Sequence, residues 1–199
     1  MLEEPHEPIK HVYFMEAGLA SVVASNGYSI EVGIIGREGM TGLGIVMGDD
    51  RSTDKTFIQA AGSGLRMTAD DLRLAMDKSK TLRVSLLRYA RVFAVQFAQT
   101  AVANGRAKIE ARLARWLLMA HDRFDHGPFP FTHEFLALML GVRRSGVTVA
   151  LHFLEGRGVI KASRGSITVL DRKALIAQSD PSYGVPEAEY HRLIDSKTR

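Results

Sequence analysis

The stretch from Thr132 to Leu154 constrains this chain more than any other. Thr132 is placed to cap a short helix over His133 to Leu140, apolar at Phe135, Leu136, Leu138 and Met139. Gly141-Val142 makes a turn, and a second helix follows over about Arg143 to Glu155, with Val147, Ala150, Leu151 and Leu154 facing inward. Two helices that cross steeply need a small residue where they touch, which Ala137 supplies. The turn needs a positive φ, which Gly141 permits, and Val147 falls in the angle between the helices. This is the helix-turn-helix pattern, whose second helix enters the DNA major groove by its N-terminal end. Arg143-Arg144-Ser145-Gly146 stands at that end. The arginine fork matches guanine O6 and N7, serine bonds to bases or phosphates, and a helix N-terminus favours phosphate. Gly146 is expected to let the helix approach the groove closely.

Gly156-Arg157-Gly158 ends the second helix, and Val159 to Ser163 and Ser166 to Leu170 then alternate as a hairpin turning at Arg164-Gly165. Arg157, Lys161, Arg164, Arg172 and Lys173 cluster here against few acids. A basic hairpin behind a recognition helix makes a winged helix, and the wing is expected to meet the phosphate backbone. The net charge of +4 and the pI of about 9.5 lean toward an anionic partner, but the placement of the charge says more than its sum.

The rest of the chain changes character twice. From about His11 to Arg66 it holds short β-prone runs, His11 to Met15, Leu19 to Val23, Tyr28 to Val32 and Thr56 to Ala60, parted by turn residues. Ser25-Asn26-Gly27 is a hairpin signal, because Asn-Gly supplies the positive φ of a tight turn. These runs predict a sandwich or roll. The Gly36 to Gly44 run could cradle a phosphate through backbone amides, but it lacks the Gly-Lys-Ser/Thr of a P-loop and reads better as turn glycines. From Thr68, an N-cap followed by acids, the pattern is helical. A helix of about 24 residues, roughly 36 Å long, is predicted from about Thr81 to Asn104, apolar along Leu82, Leu86, Tyr89, Phe93 and Phe97. Leu87, Ala90 and Ala94 add a second apolar face. A helix apolar on two sides must bury both, one on the roll and the other on a second subunit. Leu86, Tyr89, Phe93 and Phe97 are taken as the dimer interface. A hinge is expected at Asn104-Gly105-Arg106, then a helix from Ile109 to Arg123, a loop over His126 to Pro130, and an extended tail after Ser179. The expected division is a roll over 1–79, a dimerisation helix and hinge over 80–107, a winged helix-turn-helix over 108–178 and a tail over 179–199.

Hydrophobic residues make up 46% of the 199, charged residues 24%, and cysteine is absent. That excludes a disulfide framework, a thiol nucleophile and a cysteine-ligated zinc or iron–sulfur cluster. The N-terminus is acidic and proline-broken, without the apolar segment of a signal peptide. No run reaches the roughly 20 apolar residues of a membrane helix, so a cytoplasmic protein without a membrane partner is expected. Two rival functions are open. His121 and Asp125, spaced i, i+4, could hold a metal in an enzyme. They lie at a helix end before a proline-rich loop with no further carboxylate–histidine cluster, so no enzyme is expected. A roll that binds an effector or protein without regulated DNA binding is the other, and the intact Arg143-Arg144 pair argues against it.

The order of roll, long helix, hinge and winged helix resembles the Crp/Fnr family of bacterial transcription regulators, most closely in Arg112 to Arg123 and Leu136 to Val147. The resemblance covers about His11 to Leu170. It implies an α+β fold: a cyclic-nucleotide-binding-like β-roll, here partly truncated at its start, a long dimerisation helix and a C-terminal winged helix-turn-helix. It further implies a homodimer on a palindromic site of double-stranded DNA, with RNA polymerase and an unidentified small effector as further partners. Arg144 matches the family's guanine-reading arginine, Ser145 the next base-reading position, and Thr132 and His133 the phosphate contacts. Val149 stands where the cyclic-AMP-responsive members have another base-reading arginine, so a different operator is expected. Gly39, Gly42, Arg51 and Ser52 are the effector-site candidates. Thr41 stands where the cyclic-nucleotide binders carry the ribose-binding glutamate, which speaks against a cyclic nucleotide, and no other cofactor is implied.

Overall fold

The computed structural model describes residues 1–25, 29–124, 128–179 and 181–195. The roll is built from β1 (His11–Met15), β2 (Leu19–Ser25), β3 (Ser29–Ile35), β4 (Lys55–Ala60) and β5 (Gly64–Thr68), with a short helix α1 (Leu43–Met47) before β4. β2 is the centre of an antiparallel sheet ordered β3-β2-β4, and β1 pairs antiparallel with β5. β5 and α1 were not foreseen, β5 because its residues are mostly exposed and carry no inward alternation. The expected Asn26-Gly27 turn lies outside the described residues.

Alternation along β2 has a double use, because successive side chains point to opposite sides of a sheet. Ala20 and Val22 join a core with Val12, Ile35, Leu72 and Tyr89. Leu19 and Val23 join a second core made chiefly by the C-terminal half of the chain. The central strand is therefore buried on both faces.

Thr68 caps α2 (Ala69–Lys78) by accepting the Asp71 amide, and Ser79 caps α3 (Lys80–Arg106) by accepting the Leu82 amide. α3 runs straight through Gly105, so the expected hinge is displaced. The chain turns instead at Ala107 and Lys108, both extended, before α4 (Ile109–His121). A single exposed glycine costs a helix only about 1 kcal/mol, and Gly105 has open space around it. α3 lies close on β3: a Cβ on Gly33 would stand 2.7 Å from the Phe97 ring. The buried Gln96 amide brackets Ile34, accepting its N–H at 2.6 Å and donating to its carbonyl at 3.3 Å.

This placement corrects the expected dimer face. Leu86, Tyr89 and Phe93 are buried and Phe97 half-buried against the chain's own roll, so they are not offered to a partner. The larger aromatic face removes more apolar area from water, and the roll takes it.

After α4 come α5 (His133–Leu140), α6 (Arg144–Gly156), the hairpin β6 (Ile160–Ser163) and β7 (Ser166–Val169), and α7 (Arg172–Gln178). Every residue of α4 from Leu113 to Ala120 is buried, packed against α6, α7 and α5 and sharing a core cluster with Leu19, Val23 and Ile34 of the roll. Trp116 donates to the buried Glu31 carboxylate of β3 at 2.5 Å, and Arg123 pairs with Glu38 at 2.7 Å. The tail is not simply extended: α8 (Val185–Leu193) folds back onto α3. Among the described residues no single helix is long and apolar enough to cross a membrane.

Gly141 ends α5 with φ of 60°, and a Cβ there would stand 2.8 Å from Ile30 Cδ1. Gly141→Ala is expected to lower stability by about 1–2 kcal/mol from the left-handed backbone alone, read as a lower urea midpoint at unchanged slope.

Candidate nucleic-acid interface

α5 and α6 meet at 106°. Ala137 and Val147 are buried in the angle, as the sequence requires. Thr132 caps α5 by accepting the Phe135 amide at 3.1 Å. His133 Nδ1 lies 3.0 Å from the Thr148 hydroxyl, which itself donates to the Arg144 carbonyl at 3.2 Å. That chain of bonds fixes the start of α5 against the first turn of α6. Thr148 was not among the expected site residues. Its signal was its position one turn after Arg144.

Arg143 is the N-cap residue of α6, and Arg144 and Ser145 open the helix, all three exposed. Thr132, His133, Arg144 and Arg164 line one groove of about 350 Å³, with Glu134 and Gly165. The structure therefore brings the first turn of α6 and the tip of the hairpin to a common surface. Val149, 64% exposed, and Phe153, 40% exposed, continue it along α6. Arg157 lies over the Phe153 ring at 5.3 Å.

The hairpin turns at Arg164-Gly165, with Gly165 at φ of 71°, and leaves Lys161 and Arg164 exposed. The Ala162 amide donates to Glu155 at 2.7 Å, holding the hairpin to the end of α6. The expected loop before α5 adds a third rung, since Phe129 and Ile167 exchange both backbone hydrogen bonds.

Two expectations are corrected. Arg172 turns inward, donating to Asp122 at 2.7 Å and to the Tyr183 hydroxyl at 2.6 Å, and so leaves the basic cluster. Gly146 serves packing rather than close approach to a groove: a Cβ there would meet Ile109 of α4 at 3.1 Å.

The effector candidates separate. Gly42, Arg51 and Ser52 line a cavity of about 510 Å³ in the roll, floored by Ile35, Phe93 and Phe97. Gly39 lies elsewhere, since a Cβ on it would fall 1.9 Å from the Tyr89 hydroxyl. The buried Glu3 carboxylate accepts the Gly42 amide at 2.8 Å, and burial raises its pKa above the usual carboxylate value. Arg51 donates to the His6 carbonyl at 2.6 Å and pairs with Asp50. The Gly42 amide is thus taken by the chain's own carboxylate, and the guanidinium is engaged with the N-terminal segment.

The His121 ring packs edge-on against Phe129 at 6.1 Å, and Asp125 lies outside the described residues. Among the described residues no group of three or more imidazole, carboxylate or thiol side chains comes together to hold a metal.

Residues 111–178 match the family described as the Crp-like helix-turn-helix domain. No curated protein matches the chain in sequence. Among solved structures, the CRP-family transcriptional regulator TTHB099 of Thermus thermophilus is 24% identical with a TM-score of 0.64, over 89% of this chain and 92% of that one. FixK2 of Bradyrhizobium japonicum is 14% identical with a TM-score of 0.66, over 90% and 92%. The c-di-GMP-responsive global regulator CLP of Xanthomonas campestris is 15% identical with a TM-score of 0.60, over 83% and 87%. The fold is the one these Crp/Fnr-type regulators share, α+β with an N-terminal sheet domain, a long helix and a C-terminal helix-turn-helix.

Proposed function

We propose that this chain, which carries the Crp-like helix-turn-helix domain in the fold shared by the Crp/Fnr regulators, is a transcription regulator that reads a two-fold symmetric DNA site as a homodimer. The observation that carries the reading is the convergence of Thr132, His133, Arg144 and Arg164 on one groove at the start of α6. Arg144 is the guanine reader, Ser145 the second base contact, and Arg143, Thr132, His133, Lys161 and Arg164 hold the phosphate backbone. Control of transcription implies contact with RNA polymerase or its exclusion.

The outward face of α3 is the proposed pairing surface. Leu87, Ala94, Ala98, Ala101 and Val102 are exposed at helical spacing, with Leu87 at 44% and Val102 at 50%. Leu87, Ala94 and Ala101 are one heptad apart, the repeat of a coiled-coil seam. Small side chains there let two backbones approach. Leu87→Glu is expected to convert the dimer to monomer in sedimentation without lowering the unfolding midpoint of the monomer.

The test of the whole reading is selection of bound fragments from a random DNA pool. Enrichment of a two-fold symmetric motif is expected; no enrichment, or a motif without symmetry, overturns it. A signal in the roll, acting through the cavity behind Gly42, is the proposed means of control.

A further inference from the structure

One side of α6 is fully buried, with Val147, Ala150, Leu151 and Leu154 packed into the core beneath it. The exposed side carries Arg144, Ser145 and, four residues after Ser145, Val149. Residues four apart lie on one helix face about one turn from each other, so Ser145 and Val149 share a face. Val149 is 64% exposed, more than any other large apolar side chain between α4 and α8 among the described residues.

Isolated exposed apolar side chains are common and need no reason by themselves. Two observations set this one apart. It follows directly along α6 from the groove that gathers Thr132, His133, Arg144 and Arg164. It is also left bare by its own chain. Phe153, the next exposed apolar residue of α6, has the Arg157 guanidinium over its ring at 5.3 Å, whereas Val149 belongs to neither core cluster.

A valine has no donor or acceptor to offer a base edge. In the major groove its complementary partner is the C5-methyl of thymine, the one apolar group that the four base pairs display there. Cytosine at that place would instead turn its amino donor toward the valine, and an unpaired donor is costly. Val149 lies five residues beyond Arg144, about 7.5 Å of helix rise, or roughly two base-pair steps of about 3.4 Å.

We propose that Val149 reads a thymine methyl in each half-site, about two base pairs from the guanine read by Arg144. This rests on the reading of α6 as the recognition helix and adds to it a contact made without hydrogen bonds.

The test is fluorescence anisotropy of the full chain on the site selected from the random pool. Each thymine of the half-site is replaced in turn by deoxyuridine, which keeps the pairing with adenine and removes only the methyl. One position is expected to respond, the parent losing about fourfold per substituted half-site, as one buried carbon implies. Val149→Ala, whose side chain stops short of the methyl, is expected to lose most of that response. 5-Methylcytosine at the same position is expected to recover affinity lost with cytosine in the parent, but not in Val149→Ala. The unfolding midpoint of Val149→Ala is expected to hold or rise, since alanine is the better helix former. If no thymine responds in the parent, or the same one responds equally in Val149→Ala, the assignment of Val149 is overturned and the DNA-reading role stands. If the pool yields no motif at all, the DNA-reading role falls and the assignment with it.

Discussion

Arg144→Ala is expected to lower affinity for the selected site by about 1–3 kcal/mol, roughly five- to 150-fold, and to relax preference at one base pair in each half-site. Arg144 is exposed in the first turn of α6, and the hydrogen bonds from His133 through Thr148 to its own carbonyl fix the backbone that carries it. The guanidinium is thus aimed without being consumed by that network. Non-specific binding should largely survive, since it rests on phosphate contacts. Lys161→Gln and Arg164→Gln are the contrast: they should weaken binding to every sequence and reduce the salt slope by about one per lost contact. A mobility-shift series over single-base variants of the site separates the two behaviours. An unchanged base preference in Arg144→Ala would remove it from its assigned role.

Glu31→Gln is expected to change the pH dependence of stability more than any other single substitution. Glu31 is buried between the roll and α4, and its pKa is pushed up to about 7 by that burial. Hydrogen bonds from Ser21 and Trp116 and the charges of Arg123 and Arg115 oppose the rise without cancelling it. Ser21 has one proton and two acceptors at 2.6 Å, Glu31 and Gln59. A protonated Glu31 that donates to Ser21 completes that set, as does a Gln59 amide turned over to donate. The folded chain thus binds a proton more tightly than the unfolded one, whose carboxyl titrates near 4.5. The contribution is fully present below pH 4.5 and is lost as pH rises toward 7. The loss is about 1.4 kcal/mol per pH unit, roughly 3 kcal/mol across the window. Urea unfolding at pH 5 and pH 8 should show this fall in the parent chain and a much smaller one in Glu31→Gln. Equal pH slopes in the two proteins would mean that Glu31 ionises normally in the fold.

The C-terminal half was the more legible part of the sequence. Its signals are local: a capping threonine, a glycine that readily takes φ of 60°, and apolar spacing that changes period between helix and hairpin. Where reading failed, the deciding interaction was distant in sequence. The two apolar faces of α3 were visible, but nothing local says that the aromatic face meets the roll while Leu87 and Ala94 face out. Arg172 counted as a wing cation until the fold put Asp122 and Tyr183 beside it, the first of them 50 positions earlier in the chain. Glu3 gave no signal at all, because its role depends on an amide 39 positions away. The break after α3 was misplaced by two residues because glycine was weighted above the backbone change at Ala107 and Lys108.

The shared core of β2 and α4 bears on how such a protein can be taken apart. Leu19, Val23 and Ile34 of the sheet sit in the same cluster as Leu113, Trp116 and Leu151. The extended residues at Ala107 and Lys108 mark a seam at which the helix-turn-helix half could be joined to a foreign N-terminal domain. A cut made there would leave Trp116 without Glu31 and strip β3 from α5. A working graft has to bring along a replacement for those contacts. Exchange of either half alone meets the same requirement, because residues of both halves fill one cluster.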